Sequence, residues 1–236
     1  MTVPLTVGLL VDTSRSERNM LGTEQNAASH YIHDVLSARD EAMVISFESE
    51  ANLLADFTED TSVLDRAIRR AQIELPQRKA RSILYDAIYL ACHDQLREQA
   101  GRRVLLILSD AEDYGSEVTM QDAIEAAQRT DAVIYFLRIA DPQFSTGYGF
   151  GSRGEAVAEI IARETGGRAI AIRNQENLDK ALGQISKELR SQYMIGYYPT
   201  NTKHDGTLRK IKVKVTSAHA KVLAPAGYYA PPGRSF

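Results

Sequence analysis

The sequence contains very little cysteine. Cys92 is the only one among 236 residues, and it lies in an apolar stretch with helical spacing. An intrachain disulfide needs two cysteines and a cysteine-based zinc site needs several, so both are excluded. A metal site in this chain has to use other ligands.

The sequence also lacks a basic excess and a long apolar run. The formal net charge is -3, whereas a general nucleic-acid binder needs a large basic surface to release counterions. No apolar run approaches the roughly 20 residues that cross a bilayer, and Met1 to Pro4 carry no basic segment of the kind that begins a signal peptide. We therefore expect a protein or small-molecule partner, no nucleic acid, and neither a membrane span nor a signal peptide in this chain.

What is present is the pattern of an α/β protein. Hydrophobic residues make up 44% of the chain and charged residues 25%, as in soluble globular proteins. Short β-type runs alternate with helical patterns, which indicates βαβ units. The predicted fold is a Rossmann-like, doubly wound, mostly parallel central sheet with helices on both faces, followed by C-terminal antiparallel β strands. The parallel strands are predicted at Leu5 to Val11, Ala42 to Phe47, Val104 to Leu108, Ala132 to Ile139 and Arg168 to Ile172, and the helices at Gln25 to Leu36, Ser62 to Ile73, Ile83 to Leu96, Thr119 to Ala127, Glu155 to Ala162 and Leu178 to Leu189.

Other strands are predicted to be antiparallel. Asn52 to Phe57 follows the second strand after a charged turn, which fits a hairpin at one sheet edge. After Arg190 the alternation of helix and strand ends, and Gln192 to Tyr198, Arg209 to Thr216 and Lys221 to Leu223 have strand patterns. We expect residues 1–190 to form the main domain and residues 191–236 to form a β appendage that packs on it or extends it.

Acidic loops follow two of the predicted parallel strands. The first strand runs into Asp12-Thr13-Ser14-Arg15-Ser16, and the buried strand that ends at Leu108 runs into Ser109-Asp110. The carboxyl ends of strands are where open α/β sheets bind ligands. Two carboxylates at adjacent strand ends repel each other, and a bound cation relieves that repulsion. The sequence therefore predicts a cation site that includes Asp12 and Asp110.

The types of ligand indicate which metal binds. Hydroxyls and carboxylates are hard oxygen donors that suit Mg²⁺, Mn²⁺ or Ca²⁺. A site with few charged ligands keeps several waters, which Mg²⁺ tolerates better than the other ions do. We expect Mg²⁺ or Mn²⁺ rather than Ca²⁺, with one coordination position open.

These motifs resemble the von Willebrand factor A family. Asp12-x-Ser14-x-Ser16 after a first apolar strand, with Ser109-Asp110 after a later one, looks like that family's metal-ion-dependent adhesion site. The family also uses a threonine from a second loop, commonly in a run like T-x-L-Y-x-A, and here Ser82-Ile83-Leu84-Tyr85-Asp86-Ala87 stands in its place. The resemblance implies metal ligands at Asp12, Ser14, Ser16, Ser82 and Asp110.

Two departures from the family pattern affect the site. Ser82 keeps the hydroxyl of the family's threonine, but it is equally a candidate N-cap of the following helix. The family's usual glycine after the third-loop aspartate is Ala111 here, which restricts the backbone of that loop.

The C-terminal segment extends the resemblance. Gln192 to Pro199 and Gly227 to Pro231 look like the tail of the bacterial VWFA-related Acidobacterial domains. The family implies a secreted or extracytoplasmic, adhesion-type module that binds Mg²⁺ or Mn²⁺ and an acidic residue of a partner protein, without catalysis. It leaves the oligomeric state open.

The sequence leaves other functions open. An open hard-metal position is compatible with a metal-assisted hydrolase, although the sequence offers no evident general base, and a structural scaffold with a vestigial site is a further alternative. Gly149 to Gly154 matches the dinucleotide fingerprint G-x-G-x-x-G, but a long turn separates it from its strand, so nucleotide binding is not expected.

Overall fold

The computed structural model of the protein describes residues 3–73, 81–139, 150–172, 175–193, 195–216 and 222–233. A six-stranded sheet lies at its centre, with the strand order β3-β2-β1-β4-β5-β6. Five strands are parallel and β3 pairs with β2 antiparallel. The strands are β1 (Leu5–Asp12), β2 (Glu41–Phe47), β3 (Ala51–Thr58), β4 (Arg102–Leu108), β5 (Val133–Ile139) and β6 (Arg168–Ile172).

Helices cover both faces of this sheet, as predicted. One apolar cluster joins α1, α2 and α6 to the sheet, and the other joins α3, α4 and α5 to the opposite face. The helices are α1 (Leu21–Val35), α2 (Thr61–Arg70), α3 (Leu84–Leu90), α4 (Met120–Arg129), α5 (Phe150–Thr165) and α6 (Gln175–Arg190), and α3 continues as a π-helical turn (Ala91–Gln95) and a 3-10 turn (Leu96–Glu98). No helix in the described part of the chain is long and apolar enough to span a membrane.

The order of the strands positions the site. Every residue of β1 is buried, and β1 lies between β2 and β4, parallel to both. The chain moves from β1 to β2 on one side and from β4 to β5 on the other. The order of the strands therefore reverses between β1 and β4, which is where a crevice opens at the carboxyl ends of the strands.

The C-terminal strands differ from the prediction. The described residues of Gln192 to Tyr198 are not in a strand. Of the predicted Arg209 to Thr216, only residues 209 and 210 are in a strand, which is Leu208–Lys210 (β7). Its antiparallel partner is Gly227–Tyr229 (β8) rather than Lys221 to Leu223, of which residue 221 lies outside the described residues.

A hydrogen bond to the main domain explains why the hairpin is short. The N–H of Ile211 still donates to the carbonyl of Ala226, but the N–H of Ala226 donates to the carbonyl of Glu164 instead of returning to Ile211. Ala224 and Pro225 also pack closely on Gly166. A Cβ added to Gly166 would lie within 3 Å of the backbone of both residues. The segment before β8 therefore packs on the end of α5 and does not continue the pairing with β7.

β8 packs against α4. The Tyr229 hydroxyl donates to the Glu125 carboxylate at 3.1 Å, and the Arg129 guanidinium lies 4.1 Å from the centre of the Tyr229 ring. Cation–π contacts of this kind are short-range and directional. They fix the hairpin to one helix of the domain.

Candidate metal centre

Asp12 is the last residue of β1, and its carboxylate is the centre of a hydrogen-bond network. One oxygen accepts the N–H of Ser14 at 2.8 Å. The other accepts the Ser109 hydroxyl at 2.6 Å and the Ser82 hydroxyl at 3.3 Å. All four residues are buried. Asp12 therefore links the loops that follow β1 and β4 with the segment before α3.

Asp110 joins the same group of side chains from the end of β4. The hydroxyls of Ser14 and Ser16 lie 2.9 Å apart, and the Ser16 hydroxyl donates to the Asp110 carboxylate. Asp110 also accepts the N–H of Glu112 at 3.0 Å. The structure thus brings together the five residues predicted as ligands, from three separate parts of the sequence.

Ser82 does not cap the helix that follows it. The N-cap position of α3 is Ile83, and no side chain caps it. The Ser82 hydroxyl instead faces Asp12, as a metal ligand in this position requires. Ser82 is also held through its backbone by two hydrogen bonds. The N–H of Ser82 donates to the carbonyl of Tyr114 at 3.2 Å, and the N–H of Tyr114 donates to the carbonyl of Ser82 at 2.8 Å.

Glu17 is a member of the site that the sequence analysis missed. It lies on the 3-10 turn Arg15–Asn19 and is buried. One carboxylate oxygen from each of Asp12, Glu17 and Asp110 falls within 4.8 Å of the other two. One Glu17 oxygen accepts the N–H of Asp110 at 3.0 Å. Its place directly after the Asp-x-Ser-x-Ser run was the only signal in the sequence.

The carboxylates perturb one another strongly. Burial, and then the charge of Asp110, raises the pKa of Asp12 to about 7 from 3.8, although hydrogen bonds from Ser109 and Ser14 act to lower it. Burial also raises the pKa of Asp110, although the N–H of Glu112, the Ser16 hydroxyl and the charge of Arg138 act to lower it. Such shifts mean that the ionised site is electrostatically unfavourable without a cation.

Glu17 and the fully buried Glu24 of α1 have pKa values well above the usual range. Burial is the main cause for both, and the charges of neighbouring carboxylates add to it. One oxygen of Glu17 has no hydrogen-bond donor among the described residues. A divalent cation that contacts this oxygen would satisfy it, so the residues present fit a metal.

The donor set defines which metals suit the site. The described side chains that converge here offer carboxylate and hydroxyl oxygens, which are the ligands of Mg²⁺, Mn²⁺ and Ca²⁺. Neither a histidine nor a cysteine belongs to the acidic cluster found in the described chain. The geometry therefore supports the class of metal predicted from the sequence and does not distinguish its members.

The loop after β4 has an unusual backbone. Ala111 has a φ of 63°, in the left-handed region that favours glycine. Helix α5 approaches this loop so closely that a Cβ on Gly154 would lie 2.3 Å from the Asp110 carbonyl oxygen. Gly154 is the last glycine of the G-x-G-x-x-G pattern, whose first residue lies outside the described residues. Its close packing on the loop accounts for this glycine without a nucleotide.

Comparison with known proteins finds one family to which part of the chain is similar. Residues 7–112, a little under half of the chain, match the model of the von Willebrand factor type A domain. The matched residues include all five predicted ligands and Glu17. No curated protein is significantly similar to the sequence.

Several solved structures share the type A fold at low identity. BatB from Bacteroides thetaiotaomicron is 19% identical, with a TM-score of 0.63 over 78% of this chain and 97% of that one. An aerotolerance-related membrane protein from Bacteroides fragilis is 18% identical, with a TM-score of 0.60 over 78% and 99%. The vWF domain of the type V pili tip protein Mfa5 from Porphyromonas gingivalis is 11% identical, with a TM-score of 0.62 over 83% and 99%. These similarities support the fold of the type A domain. The resemblance to the Acidobacterial group rests on residues outside the family match and stays a prediction.

Proposed function

We propose that this type A domain is a metal-dependent protein-binding module of the adhesion type. Asp12, Ser14, Ser16, Ser82 and Asp110 form its metal site for Mg²⁺ or Mn²⁺, and Glu17 adds a third carboxylate. The observation that carries the proposal is the convergence of Asp12, Glu17 and Asp110 within 4.8 Å, together with serine hydroxyls that donate to Asp12 and Asp110.

The bound ion would supply a Lewis-acidic position for an oxygen of the partner. The residues of the chain position that ion and neutralise its charge, and a carboxylate on the partner completes its coordination. Surrounding loops determine which partner fits, and Tyr114 is an exposed side chain next to the site, with 47% of its surface accessible. Aromatic residues are enriched among the side chains that dominate protein interfaces.

The proposed location is extracytoplasmic. Among the proteins of the same fold, one is named a membrane protein and another a pilus tip protein. These names support a role at the cell surface, where an adhesion module meets its partners. We also propose that residues 191–236 form a β appendage that packs on the metal-binding domain, since β7 and β8 make a sheet of their own and β8 packs against α4.

A peptide-binding experiment tests the function directly. A displayed peptide library is selected on the protein in Mn²⁺ buffer, and each bound peptide is measured again with chelator, and with each Asp or Glu changed to Asn or Gln. We expect chelator and one particular amide replacement to abolish binding equally, because metal and partner carboxylate bind with reciprocal coupling. Glu98→Gln, an exposed residue on another face, is the control and should bind as the wild type does.

Two results would contradict the proposal. Binding that persists in chelator would favour a scaffold with a vestigial site. Hydrolysis of phosphoester or peptide substrates that requires Mn²⁺ and disappears in Asp12→Ala would favour the hydrolase. We expect hydrolysis at background with either metal present, because no acid–base pair suited to bond cleavage is evident at the site.

A further inference from the structure

The C-terminal appendage is basic, although the chain as a whole is acidic. Residues 191–236 contain seven Lys and Arg residues and one acidic residue, a formal charge of +6, whereas residues 1–190 contain 21 and 30, a charge of -9. The acidic residue, Asp205, pairs with Arg209 at 2.8 Å. It is therefore engaged with an arginine and not with the exposed lysines of the appendage, which are Lys203, Lys210, Lys212 and Lys214. A charge difference of this size between two parts of a chain indicates an anionic partner.

Exposed apolar side chains are concentrated in the same segment. Of the twelve large apolar side chains that are exposed in the described chain, eight belong to the appendage, and Tyr193 is 91% exposed and Tyr198 completely so. The rings of Tyr197 and Tyr228 meet edge to face with their centres 6.3 Å apart, which places the stretch before β7 beside the hairpin. Soluble monomers rarely expose apolar groups in one region to this extent, and such regions mark contacts with proteins or membranes.

A second copy of this chain fits such a surface poorly. The other four exposed apolar side chains of the described residues lie in separate segments of the main domain, before β1, in β3, at the end of α3 and after β4: Val3, Leu53, Leu90 and Tyr114. The acidic main domain of another copy would therefore match the lysines of the appendage and not its apolar side chains. Two appendages would repel each other, because both are basic.

The surface of an anionic lipid bilayer matches both properties. Its headgroups attract lysines, and its apolar layer begins directly beneath them. Tyrosine is enriched at this boundary, because its ring is apolar and its hydroxyl stays in water. We propose that the appendage binds the surface of an anionic bilayer through its exposed lysines and tyrosines.

Helix α5 separates this surface from the metal site. A Cβ on Gly154, near the start of the helix, would meet the carbonyl oxygen of Asp110, whereas the carbonyl of Glu164, in its last turn, accepts the N–H of Ala226. The rise from Gly154 to Glu164 is about 15 Å, which exceeds the Debye length of about 8 to 10 Å in physiological salt. The carboxylates of the metal site therefore do little to oppose the attraction. They also lie at the end of α5 that is away from the bilayer, where a partner can reach them; this consequence rests on the proposed function, whereas the bilayer contact does not.

Flotation with lipid vesicles tests the inference on the whole chain. The protein is mixed, in buffer with chelator, with vesicles of phosphatidylcholine alone or of phosphatidylcholine and phosphatidylglycerol. We expect it to float with the anionic vesicles and not with the neutral ones. Raising the salt from about 0.1 M to about 1 M should release it, because the Debye length falls from about 10 Å to about 3 Å. The chelator keeps the metal site out of the measurement, so failure of the proposed function would not change this result.

Two matched triple variants locate the contact. Replacement of Lys210, Lys212 and Lys214 by Gln should lower the affinity for anionic vesicles by about 100-fold, since each lysine near such a surface contributes about fivefold. The control removes three exposed charges from the main domain and should bind as the wild type does; its changes are Arg18→Gln, Arg69→Gln and Lys180→Gln. An equal loss in the two variants would overturn the assignment to the appendage.

The tyrosines give a separate readout. The double variant Tyr193→Ser and Tyr198→Ser should bind anionic vesicles more weakly and keep the salt dependence, because it removes apolar contacts and no charge. Unchanged binding in this variant would contradict the role of the rings. Should a variant fail to fold, as circular dichroism would show, hydrogen exchange of the wild type decides: anionic vesicles should protect peptides from residues 195–216, and protection confined to the main domain would overturn the inference.

The alternative partners have distinct outcomes. Equal flotation with neutral and anionic vesicles, or none with either, would overturn the proposal. Binding to single-stranded DNA without binding to vesicles would assign the basic surface to a nucleic acid. A mass that rises with protein concentration in sedimentation, again without vesicle binding, would assign the surface to a second copy.

Discussion

Removal of the metal should invert the usual response of this protein to acid. Without a cation, the ionised Asp12 is unfavourable in the folded state, where its pKa is about 7, compared with 3.8 as the ordinary value. The folded state therefore binds more protons than the unfolded state between these pH values. Stability is lowest above pH 7 and rises as the pH falls through 7 towards 4.

The size of the effect follows from the shift. For Asp12 alone, the free energy of unfolding of the metal-free protein should rise by about 2 to 3 kcal/mol between pH 8 and pH 5. For a chain of this length that corresponds to an increase in melting temperature of about 5 to 10 °C. The pKa values of Glu17 and Glu24 shift in the same direction and add to the increase.

Thermal unfolding of chelator-treated protein at pH 8, 6.5 and 5 measures this. Saturating Mn²⁺ should raise the melting temperature most at pH 8 and least at pH 5, because protons compete with the ion for the same oxygens. Asp12→Asn should remove much of the pH dependence of the metal-free protein. Measurements stop at pH 5, because the pKa values of Asp40 and Asp65 lie below the usual range, and the stability that their ionisation contributes is lost as the pH falls further. A metal-free protein that loses stability between pH 8 and pH 5 would refute this reasoning.

Three further variants test the site. Asp110→Ala should abolish Mn²⁺ binding in a calorimetric titration and leave a folded protein, because it removes a ligand and relieves repulsion; unchanged affinity would show that the site is misplaced. Ser82→Ala should weaken Mn²⁺ binding less than Asp110→Ala, because it removes a neutral ligand, and an equal loss would contradict that ranking. Gly154→Ala should lower the free energy of unfolding by about 1 to 3 kcal/mol. It should also lower the metal affinity, because its Cβ would meet the Asp110 carbonyl oxygen. Gly183→Ala, whose Cβ would meet nothing within 4 Å, is its matched control and should leave metal affinity unchanged.

The main domain was predictable because its signals are local. Val104 to Leu108 is continuously apolar, as a central strand buried on both faces must be, and β4 has that position. The charged turn before Asn52 predicted the hairpin of β2 and β3, which is confirmed. The helix predicted from Thr119 is confirmed, and Thr119 and Asp122 form its reciprocal cap. In each case neighbouring residues determine the structure.

The appendage was not predictable in the same way. Lys210, Lys212 and Lys214 alternate with apolar residues, and this pattern predicts a strand up to Thr216. The pairing stops early because the N–H of Ala226 bonds to Glu164, which is distant in the sequence. A tertiary hydrogen bond of this kind overrides the alternation of side chains.

The two buried glutamates were not predictable for a related reason. The helical pattern predicts a helix that begins at Gln25, whereas α1 begins at Leu21 and includes Glu24 in its first turn. Acidic residues are common in first turns because they interact well with the helix dipole. Nothing in the order of residues distinguishes an acid that faces solvent from one that is buried. Only the packing of α1 beneath the loops makes that difference.

The backbone bridge between Ser82 and Tyr114 makes one mechanical unit of two loops. Ser82 carries the hydroxyl that reaches Asp12, and the same short segment is tied to the β2–β3 turn by the N–H of Ile83, which donates to the carbonyl of Glu48 at 2.9 Å. Tyr114 has its side chain at the surface. Under the proposed function, a partner protein that contacts Tyr114 would therefore move the Ser82 hydroxyl without touching it. The two hydrogen bonds between Ser82 and Tyr114 would then couple the affinity for the proposed partner to the affinity for the proposed ion.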